Sequence, residues 1–209
     1  MVNYKLFILC PLLTILWSCE KHDPILSGIR TPIFNNEQVQ LIKDRVSIGD
    51  PIKPEPCEYT INSDNTIWKD GSRIFAGLPT SSDFKVDKKV ICHDDFIYAG
   101  LSTGELIKVD AKTRKPEWIA NIFSDKIVTG GTPFLDIIAT PVYNNGFIYA
   151  GGLGDAFCKV RDSDGKKVWC LPISVQNILI TTKNFNVLKT ADEQTIAVSN
   201  DGKAYEWSE

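Results

Sequence analysis

Short stretches in which apolar and polar residues alternate recur through the second half of the chain. The clearest one runs from Leu106 to Asp110, and a period of two is typical of a β-strand with one buried face. Residues that favour tight turns separate these stretches, for example Asn144-Asn145-Gly146 and Asp162-Ser163-Asp164-Gly165. The pattern therefore predicts short antiparallel strands joined by tight turns.

The predicted strands fall into repeats. Phe96-Ile97-Tyr98-Ala99-Gly100 recurs as Phe147-Ile148-Tyr149-Ala150-Gly151, and a further alternating strand follows each copy. A tryptophan then lies eleven residues after an apolar strand residue in three places: Ile107 and Trp118, Cys158 and Trp169, Ile196 and Trp207. Four short strands per unit, at a period of about 40 residues, are what a propeller blade requires. We expect the three tryptophans to lie on outer strands and to pack between blades, and Trp68 to mark the outer strand of a fourth blade.

The repeats predict an all-β fold, namely a partial β-propeller of about three to four four-stranded antiparallel blades in residues 58–209. We expect a truncated arc, whose open blade edges allow self-association. The preceding residues 19–57 are rich in proline and contain one helix-like patch, near Glu37–Val46. We interpret residues 19–57 as an irregular tether with docking contacts but no core of its own.

Residues 1–18 have the pattern of a signal peptide. The single basic residue Lys5 precedes an apolar run, Leu6–Trp17, that is too short to span a bilayer. The sequence Leu16-Trp17-Ser18-Cys19 resembles a bacterial lipobox, in which cleavage precedes a cysteine that becomes lipidated, so we predict lipidation at Cys19. Glu20 favours the outer membrane over the inner membrane by the same resemblance. Inner-membrane anchoring and a simple signal peptide are the alternatives.

Composition and charge exclude several classes of function. The chain is 43% hydrophobic and 23% charged, with a net charge of −3, which is typical of a globular domain rather than a disordered one. Basic residues are neither in excess nor clustered, so we expect no nucleic-acid partner.

The stretch Gly104-Glu105-Leu106-Ile107-Lys108-Val109-Asp110, followed by a glycine-containing turn and a tryptophan, resembles the repeat of the quinoprotein-like (PQQ-repeat) propellers. Together with the lipobox, it resembles the BamB family of outer-membrane assembly lipoproteins. The resemblance implies a non-enzymatic, lipid-anchored periplasmic scaffold that assists the assembly of outer-membrane β-barrel proteins through protein–protein contacts. The implied partners are BamA or other components of the BAM complex, and no cofactor is implied.

One stretch is longer between the first and second repeats than between the second and third, and it falls within Phe123–Asp136. In the BamB family the matching loop lies at the contact with BamA. The resemblance therefore implies a partner-binding loop with Phe134, Leu135 and Asp136 as candidate contact residues, although the arginine of the family's loop motif is replaced here.

An enzyme is the alternative from another class, since quinone-dependent dehydrogenases share the repeat. Those enzymes resemble one another in a pair of adjacent cysteines and a calcium site, whereas no two cysteines are adjacent here. His22 and His93 are isolated, so no zinc site or nucleophilic triad is predicted, and His93 is expected to be a solvated turn residue. The remaining alternatives are a degenerate quinoprotein-like dehydrogenase, a small-ligand-binding propeller, and a non-functional fragment of a split gene.

The spacing of Cys158 and Cys170 suggests that they face each other across a hairpin. If Ser163-Asp164-Gly165 is a three-residue hairpin loop, Cys158 lies directly opposite Cys170. Facing residues are close enough for a disulfide, and the periplasm is oxidising. The pair therefore forms either a cross-strand disulfide or two free cysteines that pack as small apolar residues.

Overall fold

The computed structural model describes residues 39–79, 90–123 and 135–207. All of them belong to one compact unit, Asn35–Glu209. The predicted signal peptide and Cys19 lie outside the described residues. Within the described residues, no helix is long and apolar enough to cross a membrane.

Four antiparallel sheets follow one another along the described chain, and we number them as blades 1 to 4. Blade 1 consists of β1 (Thr60–Ile61), β2 (Thr66–Lys69) and β3 (Ser72–Ala76). Blade 2 consists of β4 (Ile91–His93), β5 (Phe96–Gly100), β6 (Glu105–Asp110) and β7 (Pro116–Asn121). Blade 3 consists of β8 (Val142–Asn144), β9 (Phe147–Gly152), β10 (Ala156–Arg161) and β11 (Lys167–Leu171). Blade 4 consists of β12 (Val175–Thr181), β13 (Phe185–Thr190), β14 (Thr195–Ser199) and β15 (Ala204–Glu206).

Within every blade the strands pair in chain order. The first strands of blades 2 to 4 lie close together, since β4 contacts β8 and β12 contacts both β8 and β9. They are therefore the inner strands, nearest the axis of the arc, and the last strand of each blade is its outer strand. This arrangement confirms the predicted all-β partial propeller with four-stranded antiparallel blades.

Apolar side chains fill the space between neighbouring blades. Tyr98 of blade 2 and Ile148 of blade 3 share one buried cluster. A second cluster joins blades 1 and 2 around Ile67, and a third joins blades 3 and 4 around Phe157. Full burial of such a side chain contributes about 1.5–3 kcal/mol relative to exposure, so contacts between blades form the core of the arc.

Two of the three repeat tryptophans occupy their predicted positions. Trp118 lies on the outer strand β7 and Trp169 on the outer strand β11, and each packs on a turn of the following blade. Gly165 has φ +68°, and a Cβ there would lie 2.9 Å from the Trp118 ring. Only glycine fits this turn, because it tolerates the positive φ and leaves room for the ring.

The prediction for Trp207 is wrong. Residue 207 follows the end of β15, and the partner of Ala197 in the β14–β15 pair is Tyr205. The equivalent pairs in blades 2 and 3 are Lys108 with Trp118 and Lys159 with Trp169. Those two hairpins contain a bulge that the β14–β15 hairpin lacks, and their loops are one residue longer. The two differences together shift the register by two residues, so the same spacing along the chain leads to a different partner.

Trp68 also differs from its prediction. It lies on β2, which is the central strand of blade 1 rather than an outer strand. Its indole Nε1–H donates a hydrogen bond to Thr66 Oγ1 at 2.7 Å within the same strand. The additional blade that Trp68 predicted is therefore present as blade 1, but Trp68 does not lie on its outer strand.

The facing of Cys158 and Cys170 is confirmed, although the predicted loop is wrong. Arg161 N–H donates to Lys166 O, so the loop is the four residues 162–165 rather than three. A bulge between Lys159 and Val160 restores the register, and Cys158 pairs with Cys170. In the structure the two cysteines are joined by a disulfide.

Residues 39–57 contact the blades at several points, and the described part of the helix-like patch, residues 39–46, is not helical. Ile42 forms a parallel bridge with Tyr205 on the outer edge of β15, with hydrogen bonds of 2.9 and 3.0 Å. Further along, Pro51 forms an antiparallel bridge with Thr182. A disulfide, Cys57–Cys92, then joins this segment to β4. The outer edge of blade 4, expected to be open, is therefore paired at Ile42.

Candidate functional site

A groove lies on the side of the arc that faces the axis, and we call it the axial groove. It is formed by the inner strands β4, β8 and β12 and by the segment 52–55, and its cavity volume is about 420 Å³. Its lining includes the apolar residues Ile52, Ile91, Pro141, Val142, Ile178 and Leu179. This volume lies in the range of ligand-binding clefts in proteins.

His93 lies in this groove at the end of β4 rather than in a solvated turn, which corrects its prediction. Its ring stacks on Tyr143 of β8, with ring centroids 3.6 Å apart. Its Nδ1 lies 2.7 Å from Glu55 Oε1 and its Nε2 lies 3.7 Å from Asp94 Oδ2. Both ring nitrogens therefore have a carboxylate neighbour, and the His93–Glu55 contact holds the segment 52–55 against blade 2.

Burial also affects the stacked tyrosine. Removal of the Tyr143 phenol from water raises its pKa above the ordinary value, and a hydrogen bond with the Gly146 backbone opposes part of that rise. Tyr143 is therefore neutral in the physiological range and presents an apolar ring face to His93.

Two of the apolar side chains that line the groove are exposed. Leu179 is 50% exposed and Ile52 is 40% exposed, although both are large aliphatic residues. The strand that carries Leu179, β12, is the edge strand of its sheet. Among the described residues, only the segment around Pro51 pairs with this edge of the sheet. It does so at the Pro51–Thr182 bridge, where Ile52 N–H donates to Thr181 O at 2.7 Å.

A second set of polar contacts joins blades 2 and 3 around Asp162. Tyr98 and Lys108 both donate to Asp162 Oδ1 at 2.8 Å, and Trp118 Nε1–H donates to the Asp162 backbone oxygen at 2.7 Å. Burial and the Asp162 carboxylate raise the pKa of Tyr98 far above its ordinary value. The side chains come from one row across β5, β6 and β7, and they converge on a turn of blade 3.

Blades 3 and 4 repeat this arrangement around Asn200. Tyr149 OH donates to Asn200 Oδ1 at 2.9 Å, while Lys159 and Trp169 donate to the Asn200 backbone oxygen at 3.0 and 3.1 Å. Burial raises the pKa of Tyr149 to about 12 and lowers the pKa of Lys159. Two sequence signals could have predicted the contacts around Asp162 and Asn200. One is the repeated Phe-Ile-Tyr-Ala-Gly stretch, and the other is a lysine two residues before the end of the following strand, Lys108 in β6 and Lys159 in β10.

The predicted partner-binding loop is only partly within the described residues. Phe134 lies outside them. Leu135 is half-buried against the cluster between blades 2 and 3, and the Asp136 backbone oxygen accepts a hydrogen bond from Leu153 N–H. A Cβ at Gly152 would lie 1.9 Å from that same oxygen, so residue 152 must be glycine for the chain to pass there. The role of this loop in binding a partner stays a prediction.

Within the described residues, no group of three or more histidine, cysteine or acidic side chains could hold a metal ion. The four cysteines of this part of the chain form the two disulfides Cys57–Cys92 and Cys158–Cys170. The first of these pairs was missed by sequence reasoning, because its members lie in different predicted regions and no turn relates them.

Comparisons with known proteins identify the fold. No family model matches the chain and no curated protein matches it. BamB from Moraxella catarrhalis superposes with a TM-score of 0.50 at 13% identity, over 70% of this chain and 44% of that chain. A quinohemoprotein alcohol dehydrogenase, ADHIIG from Pseudomonas putida, superposes with a TM-score of 0.54 at 15% identity, over 79% of this chain and 34% of that chain. Sqt1 from Saccharomyces cerevisiae gives a TM-score of 0.53 at 10% identity, over 70% of this chain and 42% of that chain.

The chain thus has a β-propeller fold, as its repeats predicted, and it is similar in structure to BamB and to a quinohemoprotein alcohol dehydrogenase. It spans less than half the length of each of these three structures. The similar structures include an enzyme, so the fold alone does not decide between catalysis and binding.

Proposed function

We propose that the chain is a non-enzymatic scaffold that binds protein partners. The more specific proposal is a lipoprotein, anchored to the outer membrane through Cys19 and facing the periplasm, that assists the assembly of outer-membrane β-barrel proteins. Its partners would be BamA or other components of the BAM complex. The lipobox-like sequence and the likeness of the fold to BamB support this proposal.

The observation that carries the proposal is the chemistry of the axial groove. Its wall combines exposed aliphatic side chains, Leu179 and Ile52, with the edge of β12. Aliphatic surface next to a strand edge favours a polypeptide, because a partner chain supplies both apolar side chains and backbone hydrogen-bonding groups. A small polar substrate would use neither.

A small-ligand binder or quinoprotein-like enzyme is the second candidate. The His93–Glu55 pair in the groove favours it, since a histidine next to a carboxylate is a common acid–base arrangement. Against it, the other ring nitrogen faces Asp94 and the ring is covered by Tyr143. This leaves His93 suited to holding the segment 52–55 rather than to reacting with a ligand.

Co-purification from detergent-extracted envelopes of the native bacterium tests the proposal. We expect a tagged chain to recover BamA, and the Cys19→Ala variant to appear in the soluble fraction. Recovery of a quinone or of calcium, with no protein partner, would overturn the scaffold and favour the second candidate.

A further inference from the structure

We propose that the axial groove binds an extended segment of a partner polypeptide, which adds a strand to the inner edge of β12. This inference rests on the proposed scaffold function and specifies how its partner is held. The occupant is a strand-like peptide with apolar residues at alternate positions, antiparallel to β12.

The chain itself begins such a strand addition and then stops. Pro51 lies opposite Thr182 in an antiparallel bridge, and Ile52 N–H donates to Thr181 O at 2.7 Å. If that register continued, Pro54 would lie opposite Leu179. Proline has no N–H to donate and is excluded from the interior of a hydrogen-bonded ladder, so the segment leaves the edge after Ile52.

The rest of the edge lacks a backbone partner on its inner side. Asn177, Ile178 and Ile180 pair with β13 on the other side of the strand, and Gln176 and Leu179 lie at bulges in that pairing. Among the described residues, no backbone hydrogen bond joins them to any other segment. Unpaired strand edges are templates for another strand, and this one already has a bridge at its end that sets an antiparallel direction.

The groove supplies space and apolar contacts for the side chains of the added strand. Its volume of about 420 Å³ lies between β12 and the strands β4 and β8. Ile178 and Leu179 of β12 line the groove, as do Ile91 of β4 and Pro141 next to β8. Because side chains alternate along a strand, every second residue of the peptide would point into this apolar space.

A single extended segment fits this site better than a second folded copy. The β12 edge lies within a groove bounded by the segment 52–55 and by β8, so the edge strand of another folded sheet would first meet those walls. An unfolded segment or a free strand enters such a groove without this obstruction.

A peptide-binding measurement with the purified chain tests the proposal. The probe is a fluorescently labelled nine-residue peptide with alternating valine and threonine and a lysine at each end, and binding is followed by fluorescence anisotropy. A second peptide has the same sequence with N-methylated amides at alternate positions, which removes backbone donors along one edge. The variant is Leu179→Asp, and the matched control is Leu78→Asp, since Leu78 is 66% exposed and does not line the groove.

We expect the unmodified peptide to bind, and Leu179→Asp to weaken its affinity about tenfold or more, because binding would bury a charge beside apolar side chains. Leu78→Asp should leave the affinity unchanged, and the N-methylated peptide should bind at least about tenfold more weakly. Equal affinity of the two peptides, or equal effects of the two variants, would overturn the proposal. A dimer in sedimentation that Leu179→Asp abolishes would overturn it in favour of a second copy. If the peptide fails to bind while BamA co-purifies, the groove is not the binding site and this proposal is wrong, whereas the proposed scaffold function is still supported.

Discussion

At the residue scale, the two contacts between blades 2, 3 and 4 use the same row of side chains but different acceptors. Asp162 offers its carboxylate to both Tyr98 and Lys108. The Asn200 side-chain oxygen accepts from Tyr149, its side-chain Nδ2–H donates to Lys183 O, and only its backbone oxygen accepts from Lys159 and Trp169. The Lys108 side chain is only 8% exposed. The carboxylate of Asp162 therefore neutralises a buried charge, which the amide of Asn200 does not.

This difference predicts unequal costs for the same truncation. Asp162→Ala should lower the free energy of unfolding by about 3 kcal/mol, because it leaves a buried ammonium group without its carboxylate. Asn200→Ala should cost about 1–2 kcal/mol, because it removes two neutral hydrogen bonds, one from Tyr149 and one to Lys183 O. Urea denaturation of the two variants measures the difference. Asp164→Ala, which removes an exposed ion pair on the same turn as Asp162, is the control, and equal losses for Asp162→Ala and Asp164→Ala would contradict the account.

The raised pKa of Tyr149 predicts a loss of stability in alkali. Its pKa is about 12 in the folded chain against an ordinary value of 10.0, so the folded state holds this proton more tightly than the unfolded state. The associated stabilisation is complete below pH 10 and is lost as the pH rises from 10 to 12, at up to about 1.4 kcal/mol per pH unit. Denaturation midpoints between pH 9 and 11.5 measure this slope. Tyr149→Phe should make the slope shallower, and an unchanged slope would refute the assignment.

At the element scale, the third outer-strand hairpin shows how a repeat can mislead. The β6–β7 and β10–β11 hairpins close from Asp110 N–H to Lys115 O and from Arg161 N–H to Lys166 O, and each contains a bulge. The β14–β15 hairpin closes from Ser199 N–H to Lys203 O and has no bulge among its paired residues. Tyr205 therefore takes the register position of the tryptophans, and its ring lies 5.8 Å from that of Phe185.

This register predicts which aromatic residue supports blade 4. Tyr205→Ala should lower the free energy of unfolding by about 2 kcal/mol, since it removes an aromatic contact within the blade. Trp207→Ala should cost less than about 1 kcal/mol, because residue 207 follows the strand. Thermal or urea denaturation compares the two variants, and a larger loss for Trp207→Ala would restore the register that the spacing alone predicted.

The two disulfides belong to the same scale and have different consequences. Cys57–Cys92 closes a separation of 35 residues and holds the segment 39–57 on blade 2, whereas Cys158–Cys170 closes 12 residues within one hairpin. Replacing both Cys57 and Cys92 with serine should cost about 3–4 kcal/mol and speed tryptic cleavage after Arg45. The matched Cys158 and Cys170 double variant should leave that cleavage rate unchanged. Peptide mapping of the non-reduced protein should find both pairs, and a free Cys57 thiol would contradict this account.

Much of the element structure was predictable because its signals are local. Period-two alternation, the turn residues around Gly146 and Gly165, and the repeated Phe-Ile-Tyr-Ala-Gly stretch lie within a few residues of one another. The axial groove was not predictable in this way. His93, Tyr143 and Glu55 come from three distant segments, and bulges set the register of the hairpins without a distinct residue signature.

At the scale of the whole molecule, the blades form an arc whose inner side carries a groove, and there the described residues pair with the β12 edge only at the Pro51–Thr182 bridge. The fold is shared with BamB and with a quinohemoprotein alcohol dehydrogenase, so its function must come from the sites that the arc presents. The aliphatic character of the groove, the proline that stops the chain's own strand addition and the carboxylate contacts of His93 all favour a polypeptide ligand over a reactive small molecule.

Site-specific photo-crosslinking in the native bacterium tests this central claim most directly. A photoreactive phenylalanine analogue placed at residue 179 lies in the groove, and the same analogue at residue 78 lies on an exposed surface outside it. The account predicts a crosslinked product with a partner polypeptide from position 179 and not from position 78, and mass spectrometry should place the crosslink in an extended segment of BamA, another BAM component or a barrel-protein substrate. Crosslinking from position 78 alone, or none from position 179 while the partner still co-purifies, would contradict it.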